Sequence, residues 1–145
     1  MRSEIHQVMH APFDRIFDLA ADVERWPERL PHYRYVRRLP GAEWRFAMGA
    51  RRGPIPVRWE AIQTPLHEER RIEFIHTGGV TRGMRVAWRF EQRGDAIDVS
   101  IEHDLEIGWP LIGAFAAEHV IGPQFVEAIA GRTLRRVKEL AEEGP

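Results

Sequence analysis

The stretch Ala11–Pro31, APFDRIFDLAADVERWPERLP, decides how this chain is read. Pro12 can open a helix, because the N–H it lacks would be unpaired at the first helical position. Asp14 adds a negative charge in the first turn, where the helix dipole favours it. Phe13, Ile16, Phe17 and Ala20 then fall at i, i+3, i+4 and i+7, one apolar face. Asp22 suits the N-cap of a second short helix. Pro27 keeps that helix short, and Pro31 ends the region. Two short helices set before a run of strands can close one end of a sheet, but cannot form a core alone.

Outward from this segment the pattern changes to a period of two. Ser3–His10 precedes it as a first strand. Tyr33–Leu39 and Glu43–Ala50 follow, joined by a Pro40-Gly41 turn. Trp44, Phe46 and Met48 share one face of the second of these. Ile55, Val57, Trp59 and Ala61 alternate in the next strand. Arg71–His76 makes another and Gly78-Gly79 marks a turn. Met84, Val86, Trp88 and Phe90 alternate with polar neighbours up to the Arg93-Gly94-Asp95 turn. Ile97, Val99, Ile101, His103, Leu105 and Ile107 then face one way, with Asp98, Ser100, Glu102, Asp104 and Glu106 facing the other. This alternation predicts an antiparallel sheet with one covered and one wet face. Such long strands twist, so the covered face becomes concave. Leu111–Val120 has room for a helix before the Gly122-Pro123 break. Pro123–Glu142 has the length and period of a helix that fills the concavity, with Phe125, Val126, Ile129, Leu134, Val137 and Leu140 inward. Arg132, Arg135, Arg136 and Lys138 lie towards its C-terminal end, where the dipole favours cations. The strong helix comes last, which argues against cystatin-like and NTF2-like cones.

With 145 residues and 43% hydrophobic content, the chain is expected to form one domain spanning 1–145 with a substantial core. Its formal net charge of -1 gives no global field for nucleic acid. Cysteine is absent, which excludes disulfides, thiolate nucleophiles and thiolate metal sites. No N-terminal apolar run suggests a signal peptide or stable membrane insertion, so a cytoplasmic location is expected. His6 and His10 stand about 13 Å apart on a strand, too far to chelate one ion, and no metal site or cofactor is expected. No H-E-x-x-H, phosphate loop or G-x-S-x-G occurs.

The residues Ala11-Pro12, Phe13/Ile16/Phe17, Asp22, Trp26-Pro27 and Leu30-Pro31 resemble the START/Bet v 1-like superfamily. The match looks closest to its polyketide cyclase/dehydrase and coenzyme Q-binding branch. Trp88-Arg89-Phe90 and the helix through Leu134–Leu140 extend the resemblance over nearly the whole chain. It implies an α+β helix-grip fold: a curved antiparallel sheet of about seven strands around a long C-terminal helix, with two short helices after strand 1. It also implies binding of a hydrophobic lipid, quinone or polyketide-like molecule in an internal cavity. Two alternatives stay open. One is an aromatase/cyclase or dehydratase acting on a poly-β-ketone, and the other is a protein- or ribosome-interaction module. A homodimer also stays open.

The candidate ligand-binding residues are Tyr33, Trp44, Met48, Trp59, Phe74, His76, Met84, Trp88, His103, Phe115 and His119. Broad aromatic faces suit a flat or isoprenoid ligand, and equally suit a plain core. His103 is in register with Ile101 and Leu105, and a buried imidazole needs a partner. His76 shares a face with Ile72 and Phe74. Glu118 and His119 stand at a pocket mouth or a solvated helix end. Tyr33 and His103 are the candidate catalytic residues. By the resemblance, Tyr33 corresponds to a pocket tyrosine of aromatase/cyclases. Gln63 and Pro65 stand where those enzymes carry a serine and an arginine, and a second arginine is missing near Ile75. Gly131 within the last helix either makes room for a ligand or sheet contact, or is a tolerated imperfection.

Overall fold

The computed structural model describes residues 2–41, 44–79, 81–105 and 123–143, with side chains of all of these except 123–125. Seven strands form one antiparallel sheet: β1 (Arg2–Met9), β2 (Tyr33–Arg38), β3 (Arg45–Arg52), β4 (Ile55–Leu66), β5 (Arg71–Gly79), β6 (Arg85–Arg93) and β7 (Ala96–Asp104). Their order is β1-β7-β6-β5-β4-β3-β2. Strands β2 to β7 are a meander of neighbours, and β1 closes it by pairing with β7. β1 and β2 therefore lie at opposite edges. The segment between them must cross from one edge to the other, and it does so as α1 (Phe13–Ala21), a single 3-10 turn (Val23–Arg25) and α2 (Trp26–Arg29).

Pro12 sits at the N-cap of α1, one residue before the position expected of it. Asp22 caps the 3-10 turn through its backbone only. Ile16, Phe17 and Ala20 are buried, as their spacing predicts. Phe13 and Phe17 pack on Phe90 at centroid distances of 5.7 and 5.5 Å, which ties α1 to β6.

The last helix, α3 (Pro123–Glu142), lies against β1, β3 and α1. Val126, Leu134 and Val137 are buried, while Ile129 and Leu140 are half-buried. The cation meeting its C-terminal carbonyls does not come from the helix. Arg15 of α1 donates to the carbonyls of Ala141, Leu140 and Glu143 at 2.8, 3.0 and 3.0 Å. Lys138 instead pairs with Glu142 one turn on. A Cβ on Gly131 would meet nothing within 4 Å, so this glycine does not serve a close approach to the sheet.

Three further expectations change. β3 begins at Arg45, and Trp44 lies before it with φ +60° and is 43% exposed. The left-handed turn at Trp44 breaks the alternation that would point it inward. Its carbonyl accepts the Gln63 N–H at 2.7 Å, and its ring lies beneath the Arg38 guanidinium. Gly78 and Gly79 belong to β5, and the chain reverses just beyond them. The Asp98/Ser100 side of β7 is not wet, since both residues are buried. β7 lies between β1 and β6, and long side chains from both cover that face. His6 Nδ1 and Arg93 Nη2 each approach the Asp98 carboxylate at 3.2 Å. The described part of this strand ends at Asp104, followed by buried Leu105. Glu106, Ile107 and the Leu111–Val120 helix fall outside the described residues, and Phe125 outside the described side chains.

Candidate binding cavity

Because alternate residues of a strand face the same way, the concave face collects one set of side chains from five neighbouring strands. Met48 of β3, Val57 and Trp59 of β4, Phe74 and His76 of β5, Val86 and Trp88 of β6, and Ile101 and His103 of β7 line a cavity of about 90 Å³. Met84, just before β6, joins them. α3 covers the cavity with Val126, Ile129, Ala130 and Thr133, while Trp26 and Tyr33 bound it beside α2. The space exceeds that of a single water, which needs only about 10–15 Å³ by the same kind of measure. Its described wall is overwhelmingly apolar, and the polar groups among the described lining residues are few.

Those polar groups form three distinct arrangements. The Tyr33 hydroxyl lies near Thr133. Thr133 donates to the Ile129 carbonyl at 2.9 Å, and its oxygen also meets His32 Nε2 at 2.9 Å. Burial pushes the Tyr33 phenol well above its ordinary value and keeps it neutral. Burial, aided by the nearby Arg132 charge, lowers His32 to about 4.

The second group is His76. Its ring stacks on Trp59 with centroids 5.7 Å apart and planes 2° from parallel. Nδ1 meets the Thr81 hydroxyl at 2.6 Å. Burial, with a smaller contribution from His103, lowers this imidazole to about 3. The third group is His103, lowered by burial to about 4. Its Nδ1 is buried with no hydrogen-bond partner. At neutral pH the titratable side chains in the described wall are all uncharged, so it carries no formal charge.

Tyr33, Met48, Trp59, Phe74, His76, Met84, Trp88 and His103 are thus brought together, whereas Trp44 is not. Phe115 and His119 lie outside the described residues. Trp26, which the sequence presents as part of a proline-rich stop, lines the cavity while its Nε1 donates to the Leu19 carbonyl at 3.1 Å. Thr133 was legible in principle, since it continues the Val126–Ala130–Val137 stripe of α3. Thr81 has no such signal, because only the turn after β5 carries it to His76. Gln63 is buried away from the cavity and donates to the Ala21 carbonyl at 2.9 Å, fastening α1 to β4. Ile75 is 44% exposed on the outer face. Among the described residues no group of three or more His, Cys, Asp or Glu could hold a metal ion.

Residues 9–122 match the family model described as polyketide cyclase / dehydrase and lipid transport. The actinorhodin polyketide synthase bifunctional cyclase/dehydratase of Streptomyces coelicolor is 33% identical over 109 residues, covering 68% of this chain and 34% of that protein. The chain therefore spans about a third of the length of the curated relative it matches. Among solved structures, the Zhui aromatase/cyclase from Streptomyces sp. R1128 superposes with a TM-score of 0.77 at 17% identity, covering 98% of this chain and 93% of that one. A START superfamily protein from Mycobacterium smegmatis gives 0.66 at 15% identity, covering 96% and 98%. At these identities the two structures establish a shared helix-grip fold and nothing further.

Proposed function

Since the chain belongs to the polyketide cyclase/dehydrase and lipid transport family, we propose that it binds an uncharged, mostly apolar small molecule between α3 and the concave sheet. A quinone, a lipid chain or a polyketide-like ring system fits this chemistry. The observation that carries the reading is the cavity itself, lined by Trp26, Trp59, Phe74 and Trp88 and free of formal charge in its described wall. Aromatic walls bury a flat ligand over a large area, while a few polar groups set its orientation. An ionised ligand would lose its hydration there without gaining a counter-ion from the described wall. The reading goes with a cytoplasmic protein that shelters its ligand, and among the described residues no helix is long and apolar enough to cross a membrane. Native mass spectrometry of the purified protein, followed by solvent extraction, tests it. A co-purifying neutral organic molecule is expected. Failure to retain any apolar compound, alone or when offered, would overturn the reading.

A second reading, an aromatase/cyclase or dehydratase, is favoured by the 33% identity to a cyclase/dehydratase. Tyr33 and His103 face the same cavity and would position and protonate an enolisable carbonyl there. His103 is held neutral, so it would act as base or hydrogen-bond partner and the Tyr33 hydroxyl would be the proton donor. If Tyr33→Phe and His103→Ala leave turnover of a poly-β-ketone unchanged, the enzymatic reading fails and simple binding stands.

A further inference from the structure

Two unpaired groups stand side by side on neighbouring strands: His103, in the cavity wall, and Ser3, next to it. Ser3 of β1 and His103 of β7 are directly opposed in the antiparallel register. Opposed residues put their side chains on the same face, with Cα atoms about 4.5–5.5 Å apart. His103 lines the cavity, so Ser3 lies on the cavity side of the sheet beside it. They are only 8% and 6% exposed. Ser3 Oγ and His103 Nδ1 are both buried without a hydrogen-bond partner, and they do not bond to each other. Leaving one such atom unpaired is costly, and two neighbouring ones mark a place where the fold holds hydrogen-bonding capacity in reserve.

We infer that Ser3 and His103 form a two-point clasp for one uncharged oxygen, a hydroxyl or a carbonyl, of a ligand whose remaining surface is apolar. The inference rests on the binding function proposed above and names the ligand chemistry at one end of that site. A serine hydroxyl both donates and accepts, and a neutral imidazole Nδ1 does either according to tautomer. A ligand hydroxyl can therefore donate to one partner and accept from the other, and a carbonyl can accept from both. A carboxylate finds no cation among the described residues of the cavity wall to meet its charge.

Three bicyclic probes of similar size separate these cases: naphthalene, 2-naphthol and 2-naphthoate, titrated against the full chain by fluorescence or calorimetry. 2-Naphthol is expected to bind about tenfold more tightly than naphthalene, a preference within the range of hydrogen bonds made to buried unsatisfied groups. 2-Naphthoate is expected to bind more weakly than 2-naphthol. Ser3→Ala should reduce 2-naphthol affinity by roughly fivefold and leave naphthalene unchanged. It should also raise the melting temperature of the unliganded protein, because it removes a buried unpaired hydroxyl. That opposite movement of affinity and stability is not produced by a merely structural serine. Equal binding of naphthalene and 2-naphthol, or a Ser3→Ala variant that keeps full preference for 2-naphthol, would overturn the clasp while leaving the binding cavity standing. Failure of both naphthalene and 2-naphthol to bind would overturn the binding function and the clasp with it.

Discussion

Acidification from pH 7 to pH 5 should destabilise this protein through its interior histidines. His76 and His103 are lowered by burial to about 3 and about 4 in the folded state. In the unfolded chain both return to about 6.5. As the pH falls below 6.5, the unfolded chain takes up two protons that the folded protein refuses. The stabilisation is thus present above pH 6.5 and is lost as the pH falls towards the folded values. Each pH unit below 6.5 costs about 1.4 kcal/mol per histidine, so at pH 5 each group has removed about 2 kcal/mol. Together they remove about 4 kcal/mol, a large share of the 5–15 kcal/mol typical of a domain. His32, lowered to about 4, acts in the same direction. His67 opposes them, because its hydrogen bonds to Asp14 and Glu68 raise its value, but it is solvent-exposed and its pairs are well screened. Urea unfolding at half-unit steps of pH measures the slope, and histidine NMR shifts identify the groups. The His67 signal should titrate above the ordinary histidine value, while those of His76 and His103 stay flat to pH 5. A stability that is level between pH 7 and pH 5, or a His103 signal titrating near 6.5, would refute the account.

Replacing Arg15 with Ala strips three donors from the carbonyls that end α3, and charge-assisted bonds of this kind suggest a loss of about 2 kcal/mol, measurable by chemical unfolding. Gly131→Ala should instead stabilise by up to about 1 kcal/mol, because the new methyl meets open space and the helix loses a flexible residue; a lower melting temperature would contradict this. Gly79→Ala should cost about 2 kcal/mol or more. Gly79 has φ +92°, and a Cβ would stand 2.6 Å from the Arg58 carbonyl oxygen, so both backbone strain and a backbone clash oppose it. Its melting temperature should fall further than that of Gly94→Ala, where φ is also positive but the Cβ meets nothing within 4 Å.

Much of the cavity was legible because side-chain direction in a strand follows from local backbone geometry. Once Met84, Val86, Trp88 and Ile101, His103 are read as alternating, their common face follows without knowing which strands are neighbours. The same rule misplaced Trp44, because a single left-handed residue before β3 resets the phase and nothing in its own identity announces that. It also made Asp98 and Ser100 look solvated, since alternation says which side a residue faces but not what covers that side.

The amino-acid sequence by itself determined the order of elements, the curvature implied by long alternating strands, and the apolar character of the space under α3. Those properties depend on period and composition, which act over a few residues at a time. Tertiary structure alone decided that β1 pairs with β7, and this long-range choice set Ser3 against His103 and placed His6 over Asp98. It also brought Arg15 of α1 to the end of α3 and Thr81 to His76. Such contacts join residues that no local pattern links, and they arise only when the whole sheet has closed around the helix.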